Sequence, residues 1–440
     1  MLGYDILNIF AVAFILLCGI YYIRKNDEFP FILSIFNYFI SIHRFNLIQQ
    51  GTIDYIRVRY SFNIFNFTDE KAVMAMNYIF IGTTVFIIFY VIFSAAYRKK
   101  DVFKKDNPDI LSVFIQKNQS KLIIGFFIFF MVNSVMRASI SGSLALGNSY
   151  FFLFAMAVGG FNLLIALLII SGKLKLSQKI FLSACLTFGI VGSYNPSTRF
   201  IFLSWAIGIS FLLFRDMNPG RKLKFLVPAG ILIVLFFSLL GAERKNKLED
   251  LSWQENLELA FERAATSEDQ NMLDGFMMVL DVYPEHLDFH YGLEHLEILM
   301  RPIPRSLWPD KPLGGYANKL GLNDVNKGTV GISQTIYGSF YGEGGFLGII
   351  IFSILYAKLF AWLLNLTRSY ASDLRFLIKG VIIASLIPLL RGGDIPGIYA
   401  FIGMSFWPVF IFIYLYNKFL QKEEWQAELY EEDNLSLGSN

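Results

Sequence analysis

The chain has 440 residues, 55% of them hydrophobic and 17% charged, with a formal net charge of +3. A soluble domain carries roughly 25% charged residues, so this composition excludes one, and so small a net charge excludes nucleic acid as a partner. Two cysteines, Cys18 and Cys185, both inside apolar runs, exclude a disulfide scaffold or a zinc ribbon.

The apolar residues gather into runs that meet the roughly 17–25 residues a helix needs to cross a bilayer. In chain order the predicted spans are 5–23, 29–43, 74–97, 121–140, 150–171, 179–194, 198–214, 223–241, 336–364, 375–390 and 396–419, about eleven in all. The first lacks a basic leader and a small-residue cleavage site, and is expected to be a retained span. The sixth and seventh are separated by Ser193–Arg199, a polar turn whose Pro196 stops a continuous helix.

Lysine and arginine set the orientation, because cytoplasmic loops accumulate them. Arg98, Lys99, Lys100, Lys104, Lys105 and Lys117 fall in one connection, and Lys173, Lys175 and Lys179 two connections later. Arg215, Arg221, Lys222 and Lys224, then Arg368, Arg375 and Lys379, then Lys418 and Lys422 continue the alternation. An N-terminus outside and a C-terminus inside follow. The expected architecture is an all-α polytopic membrane protein in four parts: a bundle of about eight spans over 1–241, an outer loop over 242–335, about three spans over 336–420, and a cytoplasmic tail over 421–440.

The outer loop is far longer than an ordinary connection. Apolar residues at helical spacing predict amphipathic helices over 253–267 (Leu257, Ala260, Phe261, Ala264) and 269–283 (Leu273, Phe276, Met277, Leu280). These faces are expected to pack on the bundle. Pro284 is read as opening a third helix to about Met300. After it, Arg301-Pro302-Ile303-Pro304-Arg305-Ser306-Leu307-Trp308-Pro309-Asp310-Lys311-Pro312 makes a stiff ribbon presenting three cations, or a packing strap.

Cations kept on the outer side against the positive-inside bias are Arg199, Arg301, Arg305, Lys311 and Arg391. Arginine binds phosphate through a planar fork, so the set points to an anionic ligand at the outer boundary; the alternative is that each cation reaches headgroups or pairs with a carboxylate. On the expected third helix His286 and His290 share a face and His295 is roughly opposite, a poor metal site. A histidine base is one possible role there. Glu343, in Tyr341-Gly342-Glu343-Gly344-Gly345, and Asp394, in Arg391-Gly392-Gly393-Asp394, are carboxylates for a base or an ion pair, and Asp394 is the better placed to pair with Arg391.

Four segments together with the topology resemble the Wzy-like oligosaccharide repeat-unit polymerases, the O-antigen or capsule polymerases of bacterial inner membranes. They are Ser197-Thr198-Arg199, the proline-rich segment from Ile303 to Pro312, the Gly-rich segment from Tyr341 to Gly348, and Leu390 to Asp394, where two glycines stand in place of one. The resemblance implies a GT-C-like, metal-independent glycosyltransferase with no cofactor. It would move a growing glycan from undecaprenyl diphosphate to a sugar hydroxyl of a new lipid-linked unit on the periplasmic face. It further implies diphosphate contacts from Arg199, Arg305 and Arg391, then Lys311, Arg301 and Asp394, and a base at His290 or Glu343. Lipid-linked glycans, membrane lipids and a chain-length regulator are the implied partners. An O-antigen-ligase-type transferase and a flippase are the alternatives.

Overall fold

The computed structural model describes residues 1–55, 65, 67–100, 104–139, 149–193, 199–226, 228, 254–255, 258, 271–300, 303, 307–308 and 333–437. Among these, every element of regular structure is a helix: α1 (Tyr4–Lys25), α2 (Phe29–Gln49, with a π turn at Phe39–His43), α3 (Asp69–Arg98), α4 (Pro108–Ser139), α5 (Ser149–Met156), α6 (Val158–Ser171), α7 (Leu176–Ser193), α8 (Arg199–Leu213), α9 (Met272–Val282), α10 (Leu293–Met300), α11 (Thr335–Leu366), α12 (Leu374–Arg391) and α13 (Ile395–Leu437). Among the described residues, seven helical stretches are long and apolar enough to cross a membrane: α1, α2, α3, Asp109–Val135, Leu153–Ser171, Thr335–Ser369 and Ile395–Lys422. The predicted span 223–241 and the predicted loop helix 253–267 lie largely outside the described residues.

Local chemistry explains where these helices start and stop. Thr68 caps α3 by accepting from Lys71 N, and Asp69 and Glu70 follow in the first turn, where carboxylates complement the helix dipole. Asn107 caps α4 by accepting from Asp109 N and Ile110 N, each at 3.0 Å. Asn26 ends α1 in the left-handed conformation, just after Arg24 and Lys25. Ile6, Ile9, Phe10, Leu16, Leu17, Ile20 and Ile23 of α1 are exposed along its whole length. Exposed apolar rows of this length match a lipid surround rather than water.

The chain divides into two units: Met1–Lys99, Asp216–Trp362 and Ser385–Ala400 form the first, and Lys100–Arg215, Leu363–Ala384 and Phe401–Asn440 the second. In the first, α3 and α11 approach so closely that a Cβ on Gly82 would lie 2.5 Å from the Tyr337 ring, the close contact that small residues allow between membrane helices. Asn37 Nδ2 of α2 donates to Thr83 Oγ1 at 2.9 Å and Tyr337 Oη at 3.2 Å, joining three helices in the interior. In the second unit, Phe129, Leu163, Leu167, Leu377, Phe406 and Tyr416 belong to one apolar core. There α8 meets α12 backbone to backbone, Gly208 against Gly380.

The α9 helix packs as expected of a loop helix with an apolar face: Leu273, Phe276, Met277 and Val279 are fully buried. It lies against α3 and the π turn of α2. The helix expected from Pro284 to Met300 does not form. After α9 the chain turns through 283–287 and runs without helix to His290, and α10 begins only at Leu293. Tyr291 and Gly292 have φ of 49° and 91°, a left-handed pair through which a right-handed helix cannot pass. His286, His290 and His295 therefore do not share one helical register.

Candidate active site

The Gly-rich segment is a break inside a membrane helix. At Gly344 and Gly345 α11 leaves helical geometry, Gly345 at φ 63° and ψ −147°, a conformation open to glycine and costly for other residues. The break frees the carbonyls of Gly342 and Glu343, and a freed carbonyl at this depth must find another donor. His290 N donates to Gly342 O and Tyr291 N to Glu343 O, each at 2.9 Å. The irregular segment before α10 is thus pinned to the break. Its left-handed turn at Tyr291-Gly292 aims α10 back along α11.

That docking assembles a chain of ionisable groups within the first unit. Glu343 is buried; its Oε2 accepts from Gly292 N at 2.5 Å and its Oε1 lies 2.5 Å from His295 Nδ1. His295 Nε2 is 3.1 Å from Tyr356 Oη, which accepts from Tyr399 at 3.2 Å. One tautomer satisfies every contact: Nδ1–H donates to Glu343, Nε2 accepts from Tyr356, and Tyr356 accepts from Tyr399. The bonds run one way, from a half-buried tyrosine hydroxyl to a buried carboxylate. Beside it, buried Glu294 accepts from Ile395 N at 3.4 Å and lies 3.7 Å from His290 Nδ1, while His290 Nε2 is 3.3 Å from the Tyr283 hydroxyl.

The Arg391–Asp394 turn closes on the same helix. Gly392 has φ 70°, and a Cβ there would lie 2.0 Å from Thr335 O; Gly393 has φ 126°. Both glycines of the doubled pair are therefore required by the backbone. Ser339 Oγ donates to Gly393 O at 3.3 Å, one helical turn before Glu343. Asp394 Oδ1 accepts from Gly397 N at 3.1 Å and so caps α13.

Depth follows from α3, whose Tyr78 ring lies 6.1 Å from that of Tyr341. At 1.5 Å per residue this level is about 13 Å from the Asp69 end of α3 and about 30 Å from Arg98. The basic end of this unit is the far one, where Arg98 pairs with buried Asp27 at 2.5 Å. The near end carries a second buried pair: Arg44 Nη2 to Asp274 Oδ2 at 2.6 Å, with Nε 3.4 Å from Oδ1. Around it Lys71 pairs with Asp281, and Tyr55 donates to Asp69 at 2.9 Å. Burial and the Asp69 carboxylate push the Tyr55 hydroxyl well above its ordinary pKa.

Of the residues expected from sequence, Glu343, His290, Arg391 and Asp394 lie on the segments gathered at this helix break. Arg199 is the first residue of α8, in the second unit. Arg301, Arg305 and Lys311 lie outside the described residues. Glu343 pairs with His295, not with an arginine. Glu294, Tyr356 and Tyr399 were not expected; His295 was one of the three histidines considered as a base, but its pairing with Glu343 was hidden by the Gly292 that resets the helical register. The arrangement orients one imidazole between a buried carboxylate and a tyrosine hydroxyl. Compared with family models, curated proteins and solved structures, the chain matches none.

Proposed function

We propose that this chain is a metal-independent glycosyltransferase of the Wzy-like, GT-C-like kind. It would polymerise undecaprenyl-diphosphate-linked repeat units on the outer face of a bacterial inner membrane, with eleven spans and the helix break facing outward. The observation that carries this reading is the Glu343–His295 pair held at a glycine break in a membrane helix. Ionisable groups are expensive at that depth and mark function when they occur there. The acceptor hydroxyl attacks the donor's anomeric carbon, the bond from that carbon to the diphosphate oxygen breaks, and undecaprenyl diphosphate leaves with both bonding electrons. The acceptor's proton passes through the Tyr399 and Tyr356 hydroxyls to His295 Nε2. Glu343 fixes the tautomer and stabilises the imidazolium. Glu343 thus acts through His295, and His290 supports the segment that carries it. The leaving diphosphate is stabilised by Arg391, whose charge does part of the work a metal ion does elsewhere.

The test is a purified reaction with undecaprenyl-diphosphate-linked repeat units, resolved on a gel. A ladder of lipid-linked glycans is the expected result. Single units left unextended overturn the reading, and a glycan moved to a different acceptor lipid identifies a ligase instead.

A second reading has one observation in its favour, the break in α11: discontinuous membrane helices are also how secondary transporters build substrate sites. Passage of a labelled lipid-linked unit across vesicles, with no ladder formed, would select the flippase.

A further inference from the structure

Inside the first unit, α1, α2 and α3 leave between them a small cavity of about 20 Å³, and Ser34, Asn37 and Ser41 line it from one face of α2. Ala11 and Thr83 are also in its lining, and none of the residues that line it is charged. Asn37 is buried, and its Oδ1 has no hydrogen-bond partner among the described residues. The amide cannot turn round to satisfy that oxygen. Thr83 Oγ1 gives its proton to Ile79 O at 2.7 Å, so toward Asn37 it can only accept, and the atom it meets is Nδ2 at 2.9 Å. The two serines have also used their protons: Ser34 Oγ donates to Phe31 O at 2.9 Å, and Ser41 Oγ donates to Asn37 O. Asn37 Oδ1, Ser34 Oγ and Ser41 Oγ are thus left as acceptors, between helices long and apolar enough to lie in hydrocarbon, where bulk water does not satisfy them.

From this we infer that the cavity is a binding site for one water molecule, which donates one proton to Asn37 Oδ1 and the other to Ser34 Oγ or Ser41 Oγ. Size and chemistry select that occupant together. One water needs roughly 10–15 Å³, so the cavity takes one and no larger guest. An apolar group would leave Asn37 Oδ1 desolvated and unpaired. A cation would lose its hydration with no anionic side chain to receive it, and an anion would meet acceptors where it needs donors. The bound water completes a joint between three helices, in which Asn37 Nδ2 of α2 holds Thr83 of α3 and, at 3.2 Å, Tyr337 in the first turn of α11. That joint seats the start of the helix that carries Glu343. The site stands whatever chemistry Glu343 and His295 perform.

The experiment is an electron cryo-microscopy map of the full-length protein in lipid nanodiscs, bound to an antibody fragment, at a resolution that shows ordered water. The expected result is a single peak about 2.5–3.0 Å from Asn37 Oδ1 and from one of the two serine oxygens. The same peak is expected when choline replaces sodium and potassium in the buffer. Ser34→Ala/Ser41→Ala removes the second acceptor and leaves the bonds from Asn37 to Thr83 and Tyr337 in place; the peak should be lost. A wild-type map that resolves the Asn37 and serine side chains with nothing between them overturns the site, whether or not the double variant folds. A peak that persists unchanged in the double variant overturns the assigned partners. A peak that disappears with sodium, or density that continues into the bilayer as an acyl chain, overturns the choice of occupant.

Discussion

The first unit buries Asp27, Glu28, Arg44, Asp274, Glu294 and Glu343, whereas among the described residues of the second unit the buried charged side chain is Asp106. That single carboxylate is engaged by neutral donors: it accepts from Ala371 N at 2.6 Å, Ser372 N at 3.3 Å, Ser372 Oγ at 2.5 Å and Tyr416 Oη at 2.8 Å. Its role is to tie a turn to the end of a helix. In the first unit, by contrast, buried charges meet ionisable partners rather than neutral donors: Arg44 pairs with Asp274, and Glu343 with His295 at the helix break. Buried charge of this kind costs several kcal/mol per ion before pairing. The first unit keeps that charge in its interior, whereas the second is centred on an apolar core that includes Leu163, Leu167, Leu377 and Phe406.

Four substitutions sharpen or break this contrast. The largest effect is expected at Asp274→Ala, which strands Arg44 without its counter-ion; about 3–5 kcal/mol of stability should be lost, read as a fall in the thermal midpoint in detergent. The double variant Arg44→Met/Asp274→Leu should recover most of it. If the single variant unfolds at the wild-type temperature, the buried pair is not structural. Next is Gly392→Ala, where a methyl group must displace Thr335 O at a positive φ; about 3 kcal/mol is the expected loss, measured the same way. In the second unit Asp106→Asn should cost about 2 kcal/mol, because the amide turns a donor toward partners that donate. The smallest effect belongs to Gly403→Ala, with nothing within 4 Å of the added carbon; a change within about 0.5 kcal/mol is expected. A Gly403→Ala loss as large as that of Gly392→Ala would mean that crowding does not set these costs.

Much of the frame was legible in the sequence because hydropathy acts over many residues. The run read as 5–23 is helix Tyr4–Lys25, and the run read as 74–97 lies inside Asp69–Arg98. Glu343 and the Arg391-Gly392-Gly393-Asp394 turn stood out because glycine beside a charged residue is unusual at the mouth of an apolar run. The ninth span, read as one helix over 336–364, hides its break, since Gly344 and Gly345 are as compatible with a close helix contact as with a discontinuity. His295 was assigned to the face opposite His290 on the premise of an unbroken helix from Pro284. The left-handed pair at Tyr291 and Gly292 removes that premise. No periodicity brings Arg44 to Asp274: residue 44 reads as a span boundary and residue 274 as a position in a loop helix, and tertiary packing alone joins them.

The central claim is that the Glu343–His295 pair takes the acceptor's proton during glycosyl transfer. Its most direct test is the single-turnover rate of repeat-unit extension by purified His295→Asn and Glu343→Gln, each shown to unfold at the wild-type temperature. A general base contributes about 10²–10⁴-fold. The account predicts a loss in that range for His295→Asn and a smaller but clear loss for Glu343→Gln, with substrate binding kept in both. Near wild-type extension by His295→Asn, or loss of binding without loss of rate, would contradict it.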